Sequence, residues 1–98
     1  MKVYNNETFG PLFTIFSFKK NEEAVKIAND TQYGLGGSIW SKNIENAKQI
    51  GESINTGAIF INEITKSDPR LPFGGIGISG YGRELGSYGI KEFVNIKN

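Results

Sequence analysis

The sequence predicts an α/β fold: a small parallel sheet with βαβαβ crossovers, a Gly/Pro-rich loop, a short helix and a C-terminal strand. Two observations carry this prediction. Apolar runs rich in β-branched and aromatic residues alternate with two stretches in which apolar residues recur every three or four positions. Strands that alternate with helices along a chain form parallel sheets with right-handed crossovers. The short chain predicts a single domain over residues 1–98.

Residues 12–40 contain the first predicted strand, helix and strand. Residues 12–18 are almost continuously apolar, which predicts a strand buried on both faces. Asn21 is a candidate N-cap, and the two glutamates after it suit the positive end of a helix. Gly34 is a natural helix stop, and residues 35–40 predict the second strand.

The second helix and third strand follow the same logic. Asn43 is a candidate N-cap, because apolar residues recur after it at a spacing of three or four. Gly57 is expected to end this helix, and the apolar run at residues 58–61 predicts the third strand.

The last third of the chain predicts less regular structure. Residues 62–82 are rich in Gly and Pro and predict a long ordered loop of the kind that is often functional. Residues 83–88 favour a short helix, and residues 91–97 favour a last strand. Two helices cannot cover both faces of a three-stranded parallel sheet, so we expect exposed strand edges and apolar faces that require partners.

Composition excludes several functional classes. The chain has no Cys and no His, which removes disulfides, thiolate catalysis and the commonest metal ligands, so no metal site is expected. Eleven basic and ten acidic residues give a formal net charge of +1, which provides no field for nucleic acid or anionic lipid. No apolar run has membrane-spanning length, and the N-terminus leads into no signal-peptide core, so we expect a cytoplasmic protein.

A glycine pattern at residues 75–80, GIGISG, satisfies the dinucleotide-binding pattern GxGxxG literally. It does not directly follow a predicted strand, and no acidic residue lies about twenty positions further on, as that fingerprint requires. The pattern therefore does not predict a Rossmann site. Arg83 and Glu84, which follow closely, are expected to cap and anchor the short helix, and neither is expected to be catalytic.

Three segments carry a resemblance to a known family. They are ETFGP at residues 7–11, SDPRLPFGG at residues 67–75 and SGYGRELG at residues 79–86. In order and spacing they are similar to the C-terminal part of the catalytic domain of NAD(P)-dependent aldehyde dehydrogenases. The SDPR stretch is most similar to the succinate-semialdehyde dehydrogenase branch. The resemblance covers nearly the whole chain in collinear order.

The resemblance implies a cofactor-binding role for the first segment. In the family, a Glu at this position holds the nicotinamide ribose hydroxyls and a Phe packs beside the nicotinamide, so these roles fall on Glu7 and Phe9. A carboxylate that accepts two hydroxyl hydrogen bonds is suited to orienting a ribose. The residues alone also allow a turn that leads into a strand and leaves Glu7 solvated. The implied cofactor is NAD or NADP, and we expect this chain alone to bind neither.

The second segment implies a substrate-binding wall. In the family the Phe of this motif lines the aldehyde site, which assigns that role to Phe73. Arg70 and Ser67 lie just upstream, where a guanidinium can pair with the carboxylate of an anionic substrate. The plainer alternatives are a core position for Phe73 and a surface pair of Arg70 with Asp68. The family usually has Lys where this chain has Gly77.

The family's chemistry depends on groups that this sequence lacks. The resemblance implies attack of a cysteine thiolate on the aldehyde, hydride transfer to NAD(P), and hydrolysis of the thioester by water activated by a glutamate. In the family these groups and the dinucleotide-binding domain lie N-terminal to the matched region. We therefore expect no catalytic residue in this chain. We expect it to be the product of a truncated gene or a split gene, or an isolated family fragment, and to be inactive alone.

Three function classes remain open. The first is a subunit or remnant of an oxidoreductase that requires a missing N-terminal aldehyde dehydrogenase portion as its partner. The second is a non-catalytic, self-associating structural protein, expected to be a homo-oligomer. The third is a small ligand-binding module that retains part of the aldehyde or nicotinamide site. Function depends on the site rather than on fold ancestry, so the resemblance alone does not choose among them.

Overall fold

A computed structural model describes residues 5–97, which form three helices and four short strands joined by turns. In chain order these are α1 (Asn21–Asn29), β1 (Tyr33–Gly34), β2 (Gly37–Ile39), α2 (Ile44–Glu52), β3 (Ile59–Ile61), β4 (Ile76–Gly77) and α3 (Gly86–Lys91). The predicted mixed α/β class is confirmed. None of the helices in residues 5–97 is both long enough and apolar enough to cross a membrane.

The centre of the fold is a parallel pair of strands with a helix between them in sequence. β2 pairs with β3 in the register Gly37 with Ile59 and Ile39 with Ile61. Helix α2 packs on β3, where a Cβ at Gly51 would lie 3.0 Å from the Ile59 side chain. Glycine on this helix face therefore permits a close approach of helix to strand.

A second, antiparallel pair joins the two halves of the chain. β1 pairs with β4 in the register Tyr33 with Gly77 and Gly34 with Ile76. The prediction that residues 62–82 form a loop without strands is therefore wrong at β4. Neither strand has an apolar run, because each is only two residues long, so periodicity gave no sign of them.

Helix α1 differs from the prediction at both ends. Asn21 is its first helical residue rather than its N-cap, a position held by Lys20 without a side-chain capping bond among residues 5–97. The helix ends at Asn29, well before Gly34. Asn29 donates to the Ser53 carbonyl at 2.9 Å and accepts from the Asn55 amide at 2.8 Å. These bonds hold the end of α1 against the turn after α2.

The predicted cap of helix α2 is confirmed. The Asn43 side chain accepts a hydrogen bond from the Asn46 amide at 3.0 Å. The helix ends at Glu52 with Ser53 as its C-cap, so the prediction that Gly57 ends it is wrong. Gly57 has another role, because a Cβ there would collide with the Gly74 carbonyl group.

The first and last predicted strands are absent. Residues 12–18 form no ladder and are exposed throughout, with Phe13 at 85% and Ile15 at 90% exposure, so burial on both faces is wrong. The predicted helix at 83–88 is shifted to α3, and the predicted strand at 91–97 is wrong because α3 includes Lys91 and no strand follows it up to residue 97. A strand needs a neighbouring strand to pair with, and these two segments pair with none in residues 5–97.

The packed interior is small. Ala47, on helix α2, is the one fully buried apolar side chain in the part of the chain that the structure describes. Large apolar side chains are exposed along both terminal segments, among them Phe9, Leu12, Phe16, Phe93 and Ile96. Residues 5–97 thus leave many large apolar side chains on the surface.

The Asn43 cap gives a test of the local structure. Asn43→Ala should lower the free energy of unfolding by about 1 kcal/mol, because the Asn46 amide loses its acceptor. Asn43→Ser should retain most of the stability, since serine also caps helices. Urea denaturation followed by circular dichroism measures both variants. Equal losses for the two substitutions would contradict a capping role.

Candidate functional site: a cleft at the glycine-rich strands

A cleft in the described structure has a volume of about 680 Å³. It lies beside the glycine-rich segment that contains β1 and the start of β2. Its wall includes side chains from four separate parts of the chain, namely Glu7, Tyr33, Leu35, Thr56 and Ser79. The cleft therefore gathers residues that are far apart in sequence.

Gly34 lines this cleft. Its amide donates to the Ser79 hydroxyl at 3.0 Å, and its carbonyl accepts from the Gly57 amide at 3.0 Å. A Cβ at this position would lie 2.6 Å from the Ile76 side chain, so the packing leaves no room for any other residue. The Gly34 backbone is consequently held by one bond to the Ser79 side chain and one to the Gly57 backbone.

The two predicted cofactor residues lie in different surroundings. Glu7 lines the cleft, with its carboxylate exposed. Phe9 does not line the cleft and is 94% exposed. The Thr56 hydroxyl oxygen is buried at the cleft and has no hydrogen-bond partner among residues 5–97. The structure thus associates Glu7, but not Phe9, with a concave surface.

Phe73 lies at a second, smaller pocket of about 290 Å³, beside β3. Its backbone exchanges two hydrogen bonds with Glu84, at 2.8 and 2.7 Å, and its side chain is half-buried. Pocket residues include Phe60 and Asp68, whereas Arg70 and Ser67 do not line it. Of the three predicted substrate residues, Phe73 alone lines this pocket.

Arg70 pairs with Asp68 in its own turn. The guanidinium donates through Nε at 2.9 Å and Nη2 at 2.6 Å, and the Arg70 amide also donates to the same carboxylate. These hydrogen bonds hold the pKa of the Asp68 carboxyl well below its usual range. The ionised pair therefore persists at neutral pH and is lost only in strong acid, as the pH falls through that lowered pKa. The Arg70 side chain is 86% exposed.

The glycine-rich turns after Phe73 are held by Arg83. Its Nη1 donates to the carbonyls of Gly75 at 3.0 Å and Gly82 at 2.8 Å, which ties two turns together. The helix N-cap is Leu85, so the prediction that Arg83 and Glu84 cap the short helix is wrong. Residues 75–80 form β4 and a turn rather than opening a helix, which argues against a Rossmann fingerprint.

Gly77 occupies a backbone conformation that excludes most other residues. Its φ is +59°, and a Cβ would collide with the Gln32 carbonyl across the β1–β4 pair. The resemblance implies a lysine at this position. A lysine would require a different local backbone. The described residues contain no cluster of three acidic side chains that could hold a metal ion.

Sequence reasoning missed the parts of the cleft that come from Leu35, Thr56 and Ser79. Each lies in or beside a glycine-rich stretch, and glycines that permit close backbone approach were the available signal. Their meeting depends on the β1–β4 pair, which periodicity did not predict.

Comparison with known proteins gives consistent results. The sequence model of the aldehyde dehydrogenase family matches residues 1–98. A probable NADP(+) succinate-semialdehyde dehydrogenase of Synechocystis sp. is 54% identical over 95 residues, which are 97% of this chain and 21% of that protein. The Mycobacterium tuberculosis succinate-semialdehyde dehydrogenase [NADP(+)] 1 is 46% identical and is matched over 99% of this chain and 21% of its own length.

A solved structure agrees with these relatives. Succinic semialdehyde dehydrogenase from Streptococcus pyogenes, in complex with NADP+, is 52% identical, with a TM-score of 0.90 over 95% of this chain and 20% of that chain. The chain thus spans about a fifth of the length of the relatives that it matches. A match over every residue, together with this structural likeness, shows that the chain belongs to the aldehyde dehydrogenase family.

Proposed function

We propose that this chain forms the C-terminal part of the catalytic domain of a succinate-semialdehyde-type, NAD(P)-dependent aldehyde dehydrogenase. The observation that carries the proposal is the position of Glu7 at the 680 Å³ cleft, because a carboxylate there suits the role that the family gives it. The relatives at 45–54% identity that bear this activity in their names support the choice of substrate class. Residues 1–98 act as one unit in this proposal.

The donor set at the cleft fits the nicotinamide half of NAD(P). Glu7 is an exposed carboxylate, and it lines the cleft together with the glycines at 34, 36 and 37. Glu7 would hold the ribose hydroxyls, and Phe9 would pack beside the nicotinamide once the rest of the domain is present. The bound dinucleotide supplies the hydride acceptor for aldehyde oxidation.

On the substrate side, Phe73 would form an apolar wall and Ser67 a hydrogen-bonding group. Arg70 would face the carboxylate of an anionic aldehyde. Asp68 binds the guanidinium through Nε and Nη2, so a substrate carboxylate would compete with Asp68 for this exposed group. Asp68 would thereby moderate the affinity for an anionic substrate.

The thiolate nucleophile must come from outside these residues, because the sequence contains no cysteine. We infer that the chain needs the remaining portion of the family's catalytic apparatus as its partner. The exposed apolar residues of segment 12–18 support this inference, since they offer a surface for such a partner.

The Glu7 assignment is tested in a chimera that carries this chain in place of the matching segment of the Streptococcus pyogenes enzyme. The chain alone should show no aldehyde oxidation, and the chimera should be active with succinate semialdehyde and NADP. Glu7→Ala in the chimera should slow hydride transfer by about a hundredfold, because misoriented reacting groups cost about that factor. Single-turnover absorbance at the reduced-cofactor band measures this step.

The matched control is Glu22→Ala, which removes an exposed carboxylate on helix α1, away from the cleft. It should leave the hydride step unchanged. Activity of the chain alone in proportion to its concentration would refute the dependence on a partner. A Glu7→Ala chimera with the parent rate would refute the cofactor role of Glu7.

The role of Arg70 is tested by comparing an anionic aldehyde with an uncharged one. In the chimera, Arg70→Gln should raise KM for succinate semialdehyde about tenfold, since a hydrogen bond to a charged group contributes roughly 1.5–3 kcal/mol. KM for butyraldehyde, which lacks the carboxylate, should not change. Asp68→Asn should lower KM for succinate semialdehyde, because it frees the guanidinium. Equal changes in KM for both aldehydes would contradict the proposal that Arg70 binds the substrate carboxylate.

Self-association is a second candidate function, favoured by the exposed apolar side chains of residues 9–18 and 93–96. Without its larger partner, the chain should cover this surface by forming homo-oligomers. Sedimentation equilibrium over a wide concentration range should therefore show a mass greater than one chain. Phe13→Ser with Ile15→Ser should shift the equilibrium towards monomer. A folded monomer at every concentration would contradict this expectation.

A further inference from the structure

Asn62 lies immediately after β3, at the carboxyl ends of the two parallel strands. Its amide donates to the Ile39 carbonyl at 2.9 Å, which continues the β2–β3 ladder. Its side chain then bonds the backbone of Ser41 twice: Oδ1 accepts from the Ser41 amide at 2.8 Å, and Nδ2 donates to the Ser41 carbonyl at 2.9 Å. The side-chain amide thus takes the place of a backbone peptide beside the end of β2.

The backbone turns sharply at the same residue. The φ of Asn62 is +56°, in the left-handed region that side-chain-bearing residues rarely adopt. Asparagine tolerates this region better than most residues. The two bonds to Ser41 oppose the cost of the conformation, so the reversal is held by several interactions at once.

The chain then runs back along the two strands. Thr65 packs onto β2, where the Ser38 hydroxyl lies 3.4 Å from the Thr65 hydroxyl. A Cβ at Gly36, just before β2, would lie 2.6 Å from the Thr65 methyl group. Asp68 and Phe73 share a pocket with the start of β3. The reversal at Asn62 therefore sets where the segment from Ser67 to Phe73 lies.

We propose that Asn62 is a positioning residue for the substrate-binding segment 67–73. It touches neither substrate nor cofactor, and it acts by locking the chain reversal onto the backbone of Ser41. The expected effect of Asn62 on substrate binding rests on the proposed function. The expected effect on the position of residues 67–73 does not, because it concerns the described chain alone. Loss of the lock should displace residues 67–73 while leaving the cofactor cleft in place, because Asn62 and Ser41 do not line that cleft.

The test variant is Asn62→Gly, which keeps the left-handed backbone accessible and removes both side-chain bonds. Asn62→Asp keeps the acceptor for the Ser41 amide but faces its carbonyl with a second acceptor. The matched control is Asn29→Ala, which removes the same pair of side-chain bonds at the end of α1, away from the substrate segment. All three changes are made in the chimera and in the chain alone.

In the chimera, Asn62→Gly should raise KM for succinate semialdehyde by about tenfold, since small displacements of substrate-positioning groups cost one to two orders of magnitude. KM for NADP should stay within about twofold. Asn62→Asp should give the same pattern, and Asn29→Ala should leave KM for the aldehyde unchanged. A parallel rise in both KM values for Asn62→Gly, or a rise for Asn29→Ala that matches it, would overturn the positioning role.

Hydrogen exchange on the chain alone separates this inference from the proposed function. Asn62→Gly should speed exchange of the Ser41, Leu71 and Phe73 amides, and Asn29→Ala should not. If the parent chimera is inactive but the chain alone shows this exchange pattern, the proposed function is contradicted and the Asn62 lock is supported. Unchanged exchange at these three amides would overturn the lock, whatever the chimera does.

Discussion

The described chain carries more apolar side chain than it can enclose, and this constraint shapes the rest of the structure. Ala47 is the one fully buried apolar side chain in residues 5–97, whereas Phe9, Phe13 and Ile15 are almost completely exposed. Hydrophobic burial is the dominant favourable term in folding, and residues 5–97 contain little of it, so backbone pairing carries much of the order in the described chain. The chain is similar to about a fifth of a larger enzyme.

Order within the chain comes mainly from hydrogen bonds between distant segments. β2 and β3 pair around α2, and β1 and β4 join the middle of the chain to the glycine-rich turns. Side-chain amides extend this network, as Asn29 and Asn62 each bond two backbone groups more than twenty residues away. The cleft at Glu7 and the pocket at Phe73 are both lined by residues that these pairs bring together.

The sequence predicted those features that depend on neighbouring residues. The Asn43 cap and the strand at Ile59–Ile61 follow from local pattern, and the structure contains both. The predicted strand at residues 12–18 is wrong, because an apolar run does not form a strand without a partner, and this segment pairs with no strand in residues 5–97. The β1–β4 pair escaped prediction because two-residue strands have no periodicity.

The same distinction applies to the candidate site. Motif resemblance identified Glu7 and Phe73, and each faces a concave surface. The motif could not tell whether Arg70 pairs with Asp68 or with the carboxylate of a ligand, because either carboxylate satisfies a guanidinium. Contributions of Leu35 and Thr56 to the cleft required the tertiary structure, because neither belongs to a motif.

We propose that this chain is one part of a larger fold that covers its exposed apolar segment, residues 12–18. Amide hydrogen exchange of residues 12–18 tests it most directly, measured by mass spectrometry in the monomeric chain and in the chimera with the Streptococcus pyogenes enzyme. Most of these amides should exchange at nearly unprotected rates in the monomer, because residues 12–18 belong to no helix or strand. They should become strongly protected in the chimera. Equal and strong protection in both proteins would contradict the claim.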